Sequence, residues 1–420
     1  MNLVELLARL AEDDETLPRV DENRCLNARF RQRECTLCQD ACPVEAISVF
    51  PGDSSLPHKV LVDADTCARC GLCVHVCPTG AFTVPDHARW QLRLHRTAQA
   101  LGPVPVEFLC PLQEEKTTPA PVHARVQLDR CLASLTLADL IDLARGREGD
   151  VWLDDRPCAS CPLQRVWETM ARVVEQANQL LEAWGQTARV RTHRRDGDLL
   201  GEEKALPVHR SGGISLSRRE LFTSLSGHLV RAAFLLAEDL VPSIPSAPPS
   251  PRDIRLQQHL PRTRRHLTAA LRRMGSPRQE TLNLENLPWT VVQVGDSCTA
   301  CGLCARFCPT GALRFYVTPP TNETKGSFTL TFIPPDCVDC GICLLACPEE
   351  AISYGQVIYT DWLITREEAL VKEGEVVPCE DCGIPTTPGD PPLCFVCRSQ
   401  REKSVYFRSR QRMGDKTSHE

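Results

Sequence analysis

Twenty-four of the 420 residues are cysteine. Thiols in that number either pair as disulfides in an oxidising compartment or bind metal as thiolates in a reducing one, and spacing separates the two. The cysteines sort without remainder into six groups of four. Cys67-x2-Cys70-x2-Cys73-x3-Cys77-Pro78, Cys298-x2-Cys301-x2-Cys304-x3-Cys308-Pro309 and Cys337-x2-Cys340-x2-Cys343-x3-Cys347-Pro348 are three complete copies of the run that holds a cubane iron–sulfur cluster. In such a run three close thiolates wrap one cluster, and the fourth, beside a proline that turns the chain away, reaches a neighbouring one, so two runs make an interlocked pair. Structural zinc uses paired C-x2-C ribbons instead. Gly71, Gly302 and Gly341 each follow the second cysteine, where a residue without a side chain lets the backbone bend close to the sulfurs.

The first group departs from this rule. Cys35-x2-Cys38-x3-Cys42-Pro43 supplies the last three positions, but nine residues separate Cys25 from Cys35 where two would be expected. A longer loop is absorbed at small cost, because closure entropy grows only logarithmically with length. Cys25 is read as the missing ligand; the other reading is a free core cysteine beside a three-iron or vacant first site.

Elements able to hold these sulfurs can be read after each proline. Ala46-Ile47-Ser48-Val49, Ala81-Phe82-Thr83-Val84, Ala312-Leu313-Arg314-Phe315 and Ala351-Ile352-Ser353-Tyr354 alternate as short strands do. The whole pattern resembles the bacterial dicluster ferredoxins, twice over, at roughly residues 20–85 and 290–355. That resemblance implies two short helices over small antiparallel hairpins and crossed ligation. One cluster would be held by Cys25, Cys35, Cys38 and Cys77, and a second by Cys67, Cys70, Cys73 and Cys42. In the later module the sets would be Cys298, Cys301, Cys304 with Cys347, and Cys337, Cys340, Cys343 with Cys308. His75, between two ligands, is read as a solvated histidine.

Between the modules the pattern becomes alternating strand and helix, which predicts a small α/β domain with a largely parallel sheet. Val104 to Leu109, Arg125 to Leu128 and Val151 to Leu153 are its strands; Leu135 to Ala144 and an apolar face from Val166 to Trp184 are its helices. Cys110, Cys131, Cys158 and Cys161 fall at strand ends, where ligands bind in open α/β sheets. A fifth iron–sulfur cluster, [2Fe-2S] or [4Fe-4S], is one reading, and four ordinary buried thiols the other. The order of strands and cysteines over 104–186 resembles the iron–sulfur delta subunit of methyl-viologen-reducing hydrogenase, which implies a two-iron cluster and a flavin-containing partner.

The last group, Cys379-x2-Cys382-x11-Cys394-x2-Cys397, pairs two knuckles that can close a tetrahedron round Zn2+ in the manner of a zinc ribbon; rubredoxin-like iron is the competitor. Residues 241–251 are a proline-rich linker. Just upstream, Ser217-Arg218-Arg219-Glu220-Leu221-Phe222 looks like a twin-arginine motif of the kind that opens small ferredoxin-type accessory proteins of molybdenum enzymes. Its internal position removes the export meaning, and a helix capping box is the preferred reading. Arg255, Arg262, Arg264, Arg265, Arg272 and Arg273 mark a basic amphipathic helix, read as a solvated face.

The expected fold class is therefore α+β and multidomain: two ferredoxin-like dicluster modules, a central α/β domain and a small C-terminal metal knuckle. The expected layout is an N-terminal helix over 1–20, dicluster modules at 21–90 and 286–360, and the four-cysteine domain at 104–195. A helical region with the linker occupies 196–285, the knuckle 375–400 and a disordered tail 401–420. A formal net charge of -6, with 24% charged and 42% hydrophobic residues, fits neither a disordered acidic chain nor a strongly basic nucleic-acid binder. No secretory signal opens the chain and no apolar stretch reaches the roughly 20 residues of a membrane span, so a cytoplasmic protein is expected. Without a nucleophile set or phosphate loop, no independent catalysis is expected. The composite expectation is four [4Fe-4S] clusters and Zn2+ in an electron-transfer protein or subunit. It would relay electrons between a donor and a partner oxidoreductase that holds flavin, molybdenum or nickel–iron. The alternative is an accessory or maturation factor for a molybdenum enzyme or hydrogenase.

Overall fold

A computed structural model describes residues 16–30, 34–52, 59–211, 258–321 and 325–402. These fall into two compact units, one formed within 16–211 together with 269–279, the other by 258–268 together with the residues from 280 onward.

In the first unit, two antiparallel ladders frame the early cysteines. Ile47–Phe50 pairs with Lys59–Val62, Ile47 opposite Val62, and Arg19–Val20 pairs with Phe82–Thr83. The short helices Leu26–Arg29, Leu37–Ala41 and Leu72–Val76 carry or flank the ligands. Their shared core places the buried thiols of Cys25, Cys38 and Cys73 among Ile47, Val60, Val74, Phe82 and Val84, so sulfur takes the place that apolar side chains would fill in a module of this size. Helix His87–Ala100, with Trp90 and Leu94 fully buried, then leads into a five-stranded sheet. Its order is Val208–Arg210, Ala124–Gln127, Val106–Leu109, Val151–Asp154, Val190–Thr192, and every neighbouring pair is parallel. Val106–Leu109 and Val151–Asp154 are buried at every residue, as a parallel sheet covered on both faces requires. The chain leaves Val106–Leu109 on one side and returns on the other, which opens a crevice at the carboxyl ends of these strands.

In the second unit, Val291–Val294 pairs with Ile352–Gly355. Leu313–Thr318, Gly326–Phe332, Ala369–Pro378 and Pro385–Thr386 form a four-stranded antiparallel sheet. Leu313, Leu330, Phe332 and Ile352 make its core beside Cys308.

Several sequence expectations change. Arg19–Val20 are a strand and not the end of an N-terminal helix over 1–20; residues 1–15 lie outside the described residues. The region 196–285 is helical among the described residues only at Arg262–Arg273 and a short turn, Gly197–Leu199. Lys204–Ala205, Val208–Arg210 and Thr281–Asn283 are strands. Val208–Arg210 completes the open edge beside Ala124–Gln127, and the unpaired backbone groups of that edge outweigh a weak local preference. The linker 241–251 and the Ser217–Phe222 segment lie outside the described residues, as does the expected tail beyond residue 402; residues 401–402 continue a helix that begins at 395. Among the described residues no helix is long and apolar enough to cross a membrane.

Candidate iron–sulfur and metal centres

The three complete cysteine runs fold alike. In each, the residue before the second cysteine (Arg69, Ala300, Asp339) and the glycine after it (Gly71, Gly302, Gly341) take positive φ, between 48° and 77°. Two left-handed residues so close together curl the backbone around the sulfurs and turn amides inward. Amides of Ala300, Leu303, Asp339 and Ile342 thereby donate to Cys298, Cys301, Cys337 and Cys340, each opposing the rise in pKa that burial causes. Glycine is required at position 302, where a Cβ would stand 2.7 Å from Phe315 Cδ1. A five-residue helix follows and ends at the fourth cysteine. Beyond it, three residues on, Gly80, Gly311 and Glu350 again have positive φ, as does Glu45 after Cys42. This turn brings the amides of Ala46, Ala81 and Ala351 to 3.3, 3.3 and 3.2 Å from the sulfurs of Cys42, Cys77 and Cys347.

The thiols gather in crossed sets. Burial first, then the neighbouring sulfurs of Cys77, Cys35 and Cys25, push Cys38 up to about 12. Cys70 is near Cys42 and Cys67, while Cys73 is raised by burial and by Cys70, Cys67, Cys38 and Cys42. In the second unit Cys298 and Cys301 are close to Cys347, and Cys337, Cys340 and Cys343 to Cys308. Each pair of sets is also within electrostatic reach: Cys38 raises Cys73, and Cys343 raises Cys304. All twenty-four cysteines are free thiols. Among the described residues, no three thiols of these sets lie within 4.8 Å of one another, so the sulfurs bracket a volume larger than a single ion. A soft, sulfur-only donor set with inward amides fits an iron–sulfur cubane.

The irregular first run is held by a residue that spacing gave no reason to single out. Asn27, only 1% exposed, donates from Nδ2 to the Cys35 carbonyl at 2.6 Å and accepts the Cys35 amide on Oδ1 at 2.7 Å. The loop after Cys25 is thus pinned at both backbone groups of the next cysteine, and Cys25 joins the buried sulfur core.

The middle cysteines converge at the sheet's carboxyl end. Cys110 follows Leu109 directly, Cys131 precedes the turn Leu132–Ser134, and Cys158 sits in the turn Arg156–Ala159. Cys158 is pushed up to about 12 by burial and by Cys131, Asp155, Cys110 and Cys161; Cys131 reaches about 12 through burial and the sulfurs of Cys70, Cys110 and Cys161. This set therefore abuts the Cys67–Cys73 loop. Leu72, Ala133 and Val166 pack there around Cys70 and Cys131. His75, expected to be solvated, is half-buried and shares a 2.6 Å hydrogen bond between Nε2 and the Ala133 carbonyl; desolvation lowers its pKa. In the same domain the fully buried Glu107 and Arg125 pair at 2.7 Å, with His193 at 2.6 Å from Glu107.

The C-terminal four differ in scale. The sulfurs of Cys379, Cys382, Cys394 and Cys397 all lie within 4.8 Å of one another, and Cys382 and Cys394 are 3.7 Å apart. Metal–sulfur bonds of about 2.3 Å to a tetrahedral ion place sulfurs roughly 3.8 Å apart, so this set fits one ion.

A family described as a 4Fe-4S dicluster domain matches residues 33–81 and 297–351. Over 67 residues, 16% of this chain and 95% of the relative, the chain is 36% identical to a ferredoxin of Methanothermococcus thermolithotrophicus. It is 37% identical over 65 residues to an uncharacterized ferredoxin of Methanocaldococcus jannaschii, covering 16% of this chain and 89% of that one. It is also 44% identical over 53 residues, 13% of this chain, to the ferredoxin-type protein NapF of Haemophilus influenzae, of which the match spans only 30%. No solved structure matches the chain.

Proposed function

The chain belongs to the ferredoxin family, and from that premise we propose that it is a multi-cluster electron relay between a donor and a partner oxidoreductase holding flavin, molybdenum or nickel–iron. The observation that carries this is the crossed gathering of thiols into neighbouring sets of four, a pair of sets in each unit. Bound there, four [4Fe-4S] clusters would each accept and release one electron at a time. Cys25, Cys35, Cys38 and Cys77 would hold the first, and Cys42, Cys67, Cys70 and Cys73 the second. Cys298, Cys301, Cys304 and Cys347 would hold the third, and Cys308, Cys337, Cys340 and Cys343 the fourth. The surrounding amides offset negative charge on sulfur, and burial keeps water away.

Cys110, Cys131, Cys158 and Cys161 are proposed to hold a fifth cluster. The packing of Cys131 and Cys70 against one small core of Leu72, Ala133 and Val166 would make it the next stop beyond the second site, as the likeness of this segment to a hydrogenase delta subunit suggests. Cys379, Cys382, Cys394 and Cys397 are proposed to bind structural Zn2+. This reading puts the protein in the cytoplasm, where thiols remain reduced.

The test is depletion after maturation. With a co-purifying oxidoreductase already assembled, removing this protein should stop electron delivery at once, and adding it back in reduced form should restore it. An assembled partner that keeps full physiological turnover without it would instead support the accessory or maturation role.

A further inference from the structure

The four sites are not electrostatically equal, and the differences converge on one of them. At the seventh residue after each fourth cysteine stand Val49, Val84, Phe315 and Tyr354. Tyr354 alone of these carries a hydroxyl, and its Oη lies 3.4 Å from Cys343 Sγ, within reach of an O–H···S hydrogen bond. Its ring belongs to the packing around the second unit's core, which fixes the hydroxyl in place.

A buried cation faces the same site. Arg264 is only 6% exposed, with its guanidinium 4.7 Å over the ring of Trp289 and one nitrogen donating to the Pro288 carbonyl. Its other terminal nitrogen, Nη1, is buried without a hydrogen-bond partner. A guanidinium does not give up its proton in a protein, and the first thiol to feel this charge is Cys337, followed by Asp336 and Asp339. Asp336 is already bound to Arg366 at 2.6 Å. The sister site of Cys298, Cys301, Cys304 and Cys347 has no such bias. Lys372 and Glu349 act on Cys298 in opposite directions, and each is tied to a counter-ion, Lys372 to Asp296 and Glu349 to Arg398. In the first unit Arg69 donates from Nη1 to the Cys67 carbonyl at 3.1 Å, but this guanidinium is exposed, where water screens its charge.

We propose that the site of Cys308, Cys337, Cys340 and Cys343 is the electron sink of its module, raised in potential by the Tyr354 hydroxyl and the buried Arg264 guanidinium. The inference rests on the electron-relay reading. Reduction adds one negative charge to the four-thiolate site. A hydrogen-bond donor on one ligand and a desolvated cation beside another both stabilise that added charge more than they stabilise the oxidised state. The transfer is internal and balanced: one electron leaves the sister site, which is oxidised, and reduces this one. No proton moves and no bond breaks, and the tyrosine keeps its hydrogen throughout.

The test is a reductive titration of the full, anaerobically reconstituted chain, followed by electron paramagnetic resonance, in wild type, Tyr354→Phe and Arg264→Gln. Cys340→Ser identifies the relevant signal by removing it. Tyr354→Phe is expected to shift the oxidised-to-reduced ratio of that one species about tenfold toward oxidised, a fall of about 59 mV for a one-electron couple, and to leave the others unmoved. Arg264→Gln should lower the same species. A Tyr354→Phe protein with wild-type iron content and an unchanged midpoint for that species would overturn the inference, as would a shift confined to a different cluster. Should Arg264→Gln fail to fold, the isosteric tyrosine variant decides alone. Reconstituted wild-type protein that takes up no iron and sulfide would remove the relay reading itself, and this inference with it.

Discussion

In the runs that begin at Cys67, Cys298 and Cys337, the backbone makes the cage: two left-handed residues around the second cysteine, a short helix and a proline turn repeat with nearly the same angles. In the run that ends at Cys42 the residue after the second cysteine, Thr36, has φ at -110° in place of a left-handed glycine. There the side chain of Asn27 holds Cys35 by both backbone groups, and Cys25 enters from the loop before it. One site is shaped by conformations that the local sequence allows, the other by a clamp. The difference teaches that ligand spacing is relaxed where a buried side chain takes over the positioning, and that the sensitivity to mutation moves with it.

The largest effect should come from Cys25→Ser. If Cys25 completes the first site, iron per chain falls by between about one atom and a whole four-iron cluster, depending on whether a three-iron form survives, and metal analysis reads the loss. An unchanged count would make Cys25 a core cysteine and break the comparison at its weaker end. Asn27→Ala comes next. It removes both side-chain hydrogen bonds to the Cys35 backbone in a part-buried site, at about 1–3 kcal/mol in all. Denaturation of the loaded protein should show the loss, with Asn27→Asp intermediate because it keeps only the acceptor. In the regular class, Gly302→Ala forces a left-handed alanine against Phe315 and should cost about 1–3 kcal/mol, with iron lost from the second unit and retained in the first. The smallest effect has the opposite sign. Glu350 holds φ at 48°, so Glu350→Gly should stabilise the second unit by about 1 kcal/mol, seen as a small rise in denaturation midpoint with iron content unchanged.

The parts that could be read from sequence are those where chemistry dictates local spacing. Metal geometry fixes the distance between thiolates along the chain, so the complete runs and their glycines stand out, and the alternating segments after Pro43, Pro78, Pro309 and Pro348 appear as strands. What stayed hidden depends on contacts between residues far apart in sequence. Arg264 sits in a helix whose arginines look solvated by periodicity, yet it is buried against Trp289. His75 gains its partner from Ala133, and Val208–Arg210 becomes a strand only because Ala124–Gln127 offers an edge. Asn27 acts on backbone groups, which have no sequence signature at all.

The central claim, that the thiol sets hold clusters for electron transfer, is tested most directly by iron, acid-labile sulfide and zinc per chain in anaerobically purified protein, with electron paramagnetic resonance after reduction. Four cubanes require about sixteen irons, and a loaded middle set raises this to about eighteen to twenty; the account predicts a count in that span, close to one zinc, and mutually interacting reduced signals. Little iron and several zincs, persisting after reconstitution, would contradict it and make the protein a structural zinc binder.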